Sequence, residues 1–174
     1  STTCRTSSPS SSMPIVGIAL GSNLGDRLAN LQQTRDLLPT VGCAPVYSTA
    51  PVGCPPGSPD FDNTVIEIES GLPPLQLLEL TQSIESQLGR PGAACRTLNA
   101  PRTIDIDLLY TGTSITTPQL TLPHPRLHLR RFVLQPLSDL HPDLVVANQT
   151  ASASQLLASL QSDEPPLTLV TRTW

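Results

Sequence analysis

Strands separated by helices, with some strands joined by short turns, predict an α+β fold: a ferredoxin-like sandwich whose largely antiparallel sheet is flanked by helices. Apolar runs of strand length, such as "PIVGIAL" and "TIDIDLLY", are punctuated by glycine and proline. Leucine stripes at helical spacing lie between them. With 174 residues the chain can bury one real core and is too short for two large domains.

Residues 1–12, "STTCRTSSPSSS", carry one arginine, no acid and no apolar period. They are expected to be disordered, a tail or linker ahead of a single domain spanning 13–174. Their composition fits the remnant of an organellar transit peptide as well as a linker from an upstream domain. "PIVGIAL" is the first strand, ending at Gly21. A helix starts near Asp26, with Leu28, Leu31 and Leu38 recurring on one face until Pro39 stops it. A second strand precedes "TAPVGCPPGSPDF", a loop dense in proline and glycine. "NTVIEIES" alternates Ile66 and Ile68 with Glu67 and Glu69, predicting a half-buried strand. Pro73 and Pro74 open a second helix with the stripe Leu77, Leu80, Ile84 and Leu88, and Gly89 is placed to end it. After a loop over 91–100 come a strand carrying Asp105 and Asp107, a Thr-Gly-Thr turn and a short return strand. A short helix is expected after "LPHPRLHLRRFVLQPL", then a final helix near 154–161 and a terminal strand near 167–172.

Composition narrows the function. No apolar run reaches the ~18 residues of a membrane span. A net charge of −4 argues against a general nucleic-acid binder. Yet all ten basic residues are arginine, and Arg90, Arg96, Arg102, Arg126, Arg130 and Arg131 cluster in one third of the sequence. Arginine's planar fork matches phosphate oxygens, although a genomic composition bias also accounts for the missing lysines. Cys4, Cys43, Cys54 and Cys95 form no C-x-x-C pair, so free thiols in a reducing compartment are expected. A cytoplasmic location follows, or a mitochondrial one if the tail is a transit-peptide remnant.

The chemistry concentrates in "APRTIDIDLLY" at 100–110. In a strand, Asp105 and Asp107 share a face about 7 Å apart. Two like charges near a core are costly unless something positive faces them. Magnesium, which takes carboxylates together with substrate phosphates, is one solution. An edge strand that turns both carboxylates to solvent is the plainer one. Arg102 nearby, with the arginines around it, adds the equipment of phosphoryl transfer. His124 in "LPHPRL" is either a phosphate donor or a turn histidine.

"ALGSNLGDR" at 19–27, "STAPVG" at 48–53, "PDFDN" at 59–63, "IESQLGR" at 84–90, "PRTIDIDLLY" at 101–110 and "LPHPRLHLRRFVLQPL" at 122–137 together resemble the 6-hydroxymethyl-7,8-dihydropterin pyrophosphokinase family. The motifs stand in family order over residues 15 to about 145, and six collinear matches are highly specific where one would be weak. The resemblance implies transfer of pyrophosphate from ATP to the pterin hydroxymethyl group in folate biosynthesis, with release of AMP. It implies that Asp105 and Asp107 ligate two Mg2+ ions and that Arg102 holds a phosphate oxygen. Gln82, Glu85, Arg96, Thr121, His124 and Arg130 match nucleotide-side positions. Thr49, Ala50 and Val52 match a loop whose backbone faces the pterin, Phe61 and Phe132 would sandwich its ring, and Asn63 would pair with its amide-like edge. Ordinary core packing is the other reading of the two phenylalanines. Asn63 is sharper, because an asparagine entering a buried strand needs partners.

"ALGSNLGD" matches neither a dinucleotide nor a Walker phosphate loop; Gly21 and Gly25 are read as supplying permissive backbone angles. "LNAPR" departs from bacterial members, which carry an aromatic-glycine pair before "PR", and Gln119 and Pro125 stand where some relatives have arginine and tyrosine. The resemblance is also compatible with fusion to, or association with, other folate-pathway enzymes. Two other functions fit the residues: a magnesium-dependent nucleotidyltransferase releasing pyrophosphate, and a silent binding domain within a longer polypeptide.

Overall fold

The computed structural model describes residues 14–23, 25–49, 60–88, 104–112, 114–147, 149–161 and 167–174. In chain order the elements are β1 (Ile15–Ser22), α1 (Arg27–Leu37), β2 (Thr40–Cys43), β3 (Val46–Thr49), β4 (Phe61–Glu69), α2 (Pro74–Gln87), β5 (Asp105–Tyr110), β6 (Ile115–Thr116), β7 (Thr121–Leu122), α3 (Arg131–Leu140), α4 (Ala153–Ser159) and β8 (Thr168–Thr171). The sheet runs β5-β1-β4-β3-β8, with β2 also paired to β4. Its pairings among the described residues are antiparallel.

β2 and β3 act as one strand interrupted at Ala44 and Pro45, where proline has no N–H to give a ladder. Counted so, β1 to β5 form a βαββαβ unit with spatial order 4-1-3-2, the ferredoxin-like arrangement that the sequence predicts. The predicted stripes pack one sheet face: Leu31 from α1 and Leu77 and Ile84 from α2 meet Ile18, Ile66 and Ile68. Each such fully buried aliphatic side chain contributes about 1.5–3 kcal/mol relative to exposure. The opposite face carries α3 and α4 over Val65, Leu109 and Tyr110.

Local signals explain the ends. Gly25 takes a left-handed φ of 72°, Asp26 caps α1 by accepting from Ala29 N at 3.1 Å, and Ser152 and Gln155 form a capping box on α4. α2 begins with Pro74 at its first turn, as the sequence predicts.

Three features differ from the sequence-based expectation. β4 starts at Phe61 and is buried on both faces from Asp62 to Ile66, because helices cover both sides there. The segment after β5 does not return to the sheet; β6 pairs with β7 in a separate hairpin. The short helix lies inside "LPHPRLHLRRFVLQPL" rather than after it, as α3. Pro136 sits within α3, where it forgoes one backbone bond, and is buried beside Val133 and Leu137. Among the described residues, no helix is long and apolar enough to cross a membrane. The tail 1–12 and the loop 91–100 lie outside the described residues.

Candidate active site

Strand register assembles the site. Side chains of β4 alternate, so Phe61, Asn63 and Val65 share the face under α3 while Ile66 and Ile68 enter the opposite core. On one side of β4, Thr49 stands opposite Phe61 and Tyr47 opposite Asn63. On the other side, Gly21 stands opposite Asn63. Gly21 is in turn opposite Asp105, and Ala19 is opposite Asp107. Tyr47, Asn63, Gly21 and Asp105 therefore form one crosswise row, with Asn63 and Asp105 about 10 Å apart over two strand spacings.

Gly21 is the bare step in that row. A Cβ there would stand 3.0 Å from Asn63 Oδ1 and 3.6 Å from Phe61 Cδ1. Its role is space rather than an unusual backbone angle; Gly25 alone of the described glycines has a positive φ. A glycine inside a strand pattern is the sequence signal for such close approach, but only the register says what approaches.

Asp105 is half-buried and Asp107 exposed, and Ile106 and Leu108 between and after them fill the core behind. β5 is the edge strand of the sheet. Its edge is held by two residues of the predicted nucleotide side. Buried Glu85 accepts the Ile106 N–H at 2.9 Å, and the backbone N–H of His124 donates to Leu109 O at 2.7 Å. Gln82, one turn earlier on α2, is exposed, as is Thr121 opposite Thr116. Arg130 lies over the Phe132 ring, 5.4 Å from its centroid, an arrangement worth about 0.5–1 kcal/mol where exposed. Phe132 also packs against the α3–α4 core. Ala50, Val52, Arg96 and Arg102 lie outside the described residues.

His124 Nδ1 accepts the Arg126 N–H at 3.1 Å, which places the proton of the neutral ring on Nε2 as a donor. Burial, then the charges of Arg130 and Arg126, push its pKa below the ordinary 6.5. The unfolded chain therefore binds this proton more readily than the folded one. His124 contributes no penalty above pH 6.5, and stability falls as the pH drops from there through the lowered folded value. Imidazole NMR should show the His124 midpoint below that of free histidine; a midpoint at or above 6.5 would contradict the environment described.

Arg27, which sequence reasoning assigned no role, grips the start of β4. Its guanidinium donates to Asp60 O at 2.7 Å and meets Asp62 Oδ1 at 3.5 Å, so it ties the backbone before Phe61 to the side chain after it. Burial raises the Asp62 carboxyl above its usual range, Arg27 opposes this, and Asp60 adds to it. No spacing rule links residue 27 to residue 60, so the sequence held no signal for this contact.

The donor chemistry fits a hard divalent ion. Among the described residues no three His, Cys, Asp or Glu side chains converge into a metal cage. Two carboxylates on one strand face suit Mg2+, which completes its shell with phosphates and water.

Residues 17–142 match the family described as 7,8-dihydro-6-hydroxymethylpterin-pyrophosphokinase (HPPK). A 2-amino-4-hydroxy-6-hydroxymethyldihydropteridine pyrophosphokinase of Bacillus subtilis is 43% identical over 133 residues, covering 72% of this chain and 77% of that protein. Folic acid synthesis protein fol1 of Schizosaccharomyces pombe is 37% identical over 138 residues, which cover 75% of this chain but 18% of that protein. Plasmodium falciparum HPPK-DHPS solved with pteroate is similar in fold, with a TM-score of 0.64 at 14% identity over 83% of this chain and 42% of that chain.

Proposed function

This chain belongs to the 7,8-dihydro-6-hydroxymethylpterin-pyrophosphokinase family, and we propose that Asp105 and Asp107 hold two Mg2+ ions against ATP while Thr49, Phe61, Asn63 and Phe132 receive the pterin. The enzyme is a transferase of folate biosynthesis that moves pyrophosphate from ATP to 6-hydroxymethyl-7,8-dihydropterin, giving the pterin diphosphate and AMP. The observation that supports this assignment of residues is the shared row: Asn63 and Asp105 flank Gly21 on one sheet face.

The hydroxymethyl oxygen attacks the β-phosphorus in line. Its bond to the bridging oxygen of the α-phosphate breaks, AMP departs with that oxygen, and the hydroxyl proton passes to water. Asn63 fixes the ring edge, so that the hydroxymethyl arm points along the row toward β5. Phe61 and Phe132 hold the ring plane, and Glu85 and His124 keep the edge of β5 in place. The Nε2 proton of His124 and the guanidinium of Arg130 are donors to phosphate oxygens, the role the family resemblance also gives Arg96 and Arg102. Mg2+ bound at the aspartates would neutralise negative charge on the phosphate oxygens.

Incubation with ATP, Mg2+ and hydroxymethyl-dihydropterin, followed by chromatography, should yield AMP and pterin diphosphate in equal amounts. Pyrophosphate in place of AMP would assign a nucleotidyltransferase; an ATP analogue that fails to bind with Mg2+ would assign a silent scaffold. The likeness to fol1 and HPPK-DHPS supports a fused or associated folate-pathway partner for this domain.

A further inference from the structure

Asn63 is buried, 7% exposed, and its amide is held from two sides. Nδ2 donates to Thr49 Oγ1 at 2.9 Å, a contact between diagonal neighbours on β3 and β4. Oδ1 leans over Gly21, 3.0 Å from the place a Cβ would take. Tyr47, directly opposite Asn63, is turned away and donates its hydroxyl to Asp139 of α3. The hydroxyl on the β3 side that reaches the amide is thus Thr49's.

We propose that Thr49 is a positioning residue: its hydroxyl, working against the bare Cα of Gly21, sets the amide plane of Asn63 and so determines affinity for a flat heterocycle with a donor–acceptor edge. The proposal rests on the reading of Asn63 as a pterin contact. A side-chain amide has two N–H donors and one carbonyl acceptor. Thr49 takes one N–H; the second N–H and Oδ1 are the groups the amide offers a ligand. The terminal amide torsion is broad and roughly two-fold, so an unheld Asn63 would swing its donor and acceptor out of the plane of a ligand edge, whereas the Thr49 contact holds that plane. Fixing it in the free protein lowers the ordering cost of binding.

The effect belongs to binding and not to chemistry. β3 lies three strand spacings from β5, about 14 Å, so removing the Thr49 hydroxyl leaves the aspartates undisturbed. This separates Thr49 from a residue that touches the reacting phosphorus.

The test compares Thr49→Val, which keeps the shape and loses the hydroxyl, with Thr49→Ser, which keeps the hydroxyl. Thr49→Ala, also without the hydroxyl, carries the comparison should valine not pack. The hydroxyl-free variants should raise the pterin KM about tenfold, with kcat and the affinity for an ATP analogue with Mg2+ within about twofold, and Thr49→Ser should restore the KM. In 15N-labelled, ligand-free protein, the two Asn63 amide protons should be well resolved in the wild type and Thr49→Ser and should move toward free-asparagine positions in Thr49→Val. An unchanged pterin KM in both hydroxyl-free variants overturns the proposal, as does Thr49→Ser behaving like Thr49→Val. Should the wild-type enzyme not turn over pterin at all, the pterin reading fails, while unchanged Asn63 amide resonances in Thr49→Val separately overturn the positioning role.

Discussion

Asp105→Asn or Asp107→Asn is expected to lower turnover on the order of a thousandfold or more, about 4 kcal/mol of barrier, while the protein melts within a few degrees of the wild type. If the two aspartates hold the divalent ions as proposed, loss of one carboxylate weakens that site and leaves part of the phosphate charge uncompensated. The fold has little to lose. Asp107 is exposed and Asp105 half-buried, and asparagine keeps the size of the aspartate and one of its acceptor oxygens. Removing one of two like charges on one strand face relieves their mutual repulsion. Calorimetric titration with an ATP analogue should show the Mg2+-dependent part of the affinity lost in each variant. Binding of pterin in the absence of nucleotide should persist, since Asn63 and Thr49 lie on strands away from β5. A variant with wild-type kcat and wild-type Mg2+ dependence would remove the aspartates from the mechanism. One that loses pterin binding as well would show that the row is a single cooperative unit.

The fold was legible where a short-range period decides it. Leu31, Leu77 and Ile84 lie in the core because helical spacing demands a buried stripe, and Asp26 and Pro74 begin helices by capping chemistry that needs no tertiary context. Where long-range burial decides, the pattern misled. "NTVIEIES" alternates like a half-exposed strand, but helices on both faces bury Asn63, Thr64 and Val65 alike. Glu67 is the case in point: the alternation assigns it to solvent, whereas Tyr110 OH donates to its Oε2 at 2.6 Å and His141 Nδ1 lies 3.2 Å from the same oxygen. The candidate site divides the same way. Motif order singles out Asp105, Asp107 and Asn63 as candidates, but the register that seats Gly21 between Asn63 and Asp105 is a property of three strands that come from distant parts of the chain. Arg27 on Asp60 and Glu85 on the Ile106 N–H are likewise contacts between segments that no periodicity connects.

Gly17→Ala should destabilise the protein by about 3–5 kcal/mol, more than its size suggests, through one aromatic ring. The added Cβ would stand 2.0 Å from Tyr110 Cε2 and 2.3 Å from Tyr110 Cζ, inside any tolerable contact. Gly17 pairs with Tyr110 on one side and Glu67 on the other, so the tyrosine lies across the glycine to reach Glu67. A register shift between Gly17 and Ile18 in the β1–β5 pairing allows that crossing. Burial, followed by the Glu67 carboxylate, keeps the phenol protonated well above its usual range, so it remains a donor at any working pH. Alanine must therefore displace a 4%-exposed ring, costing about 1–3 kcal/mol in overpacking, and break a bond to a carboxylate worth about 1.5–3 kcal/mol. Thermal unfolding should fall by roughly 10 °C. Tyr110→Phe isolates the hydroxyl: it should cost only the bond, and the further loss on adding Gly17→Ala should be smaller than in the wild type because the bond is already gone. Additive losses would show that alanine leaves the Tyr110–Glu67 contact intact. The contrast with Gly21 is also measurable. Both glycines lie on the same face of β1, yet the ring over Gly17 serves the fold, while the amide over Gly21 is the one proposed to meet the ligand. Below its melting range Gly17→Ala should keep the pterin KM, whereas Gly21→Ala should raise it with little loss of stability.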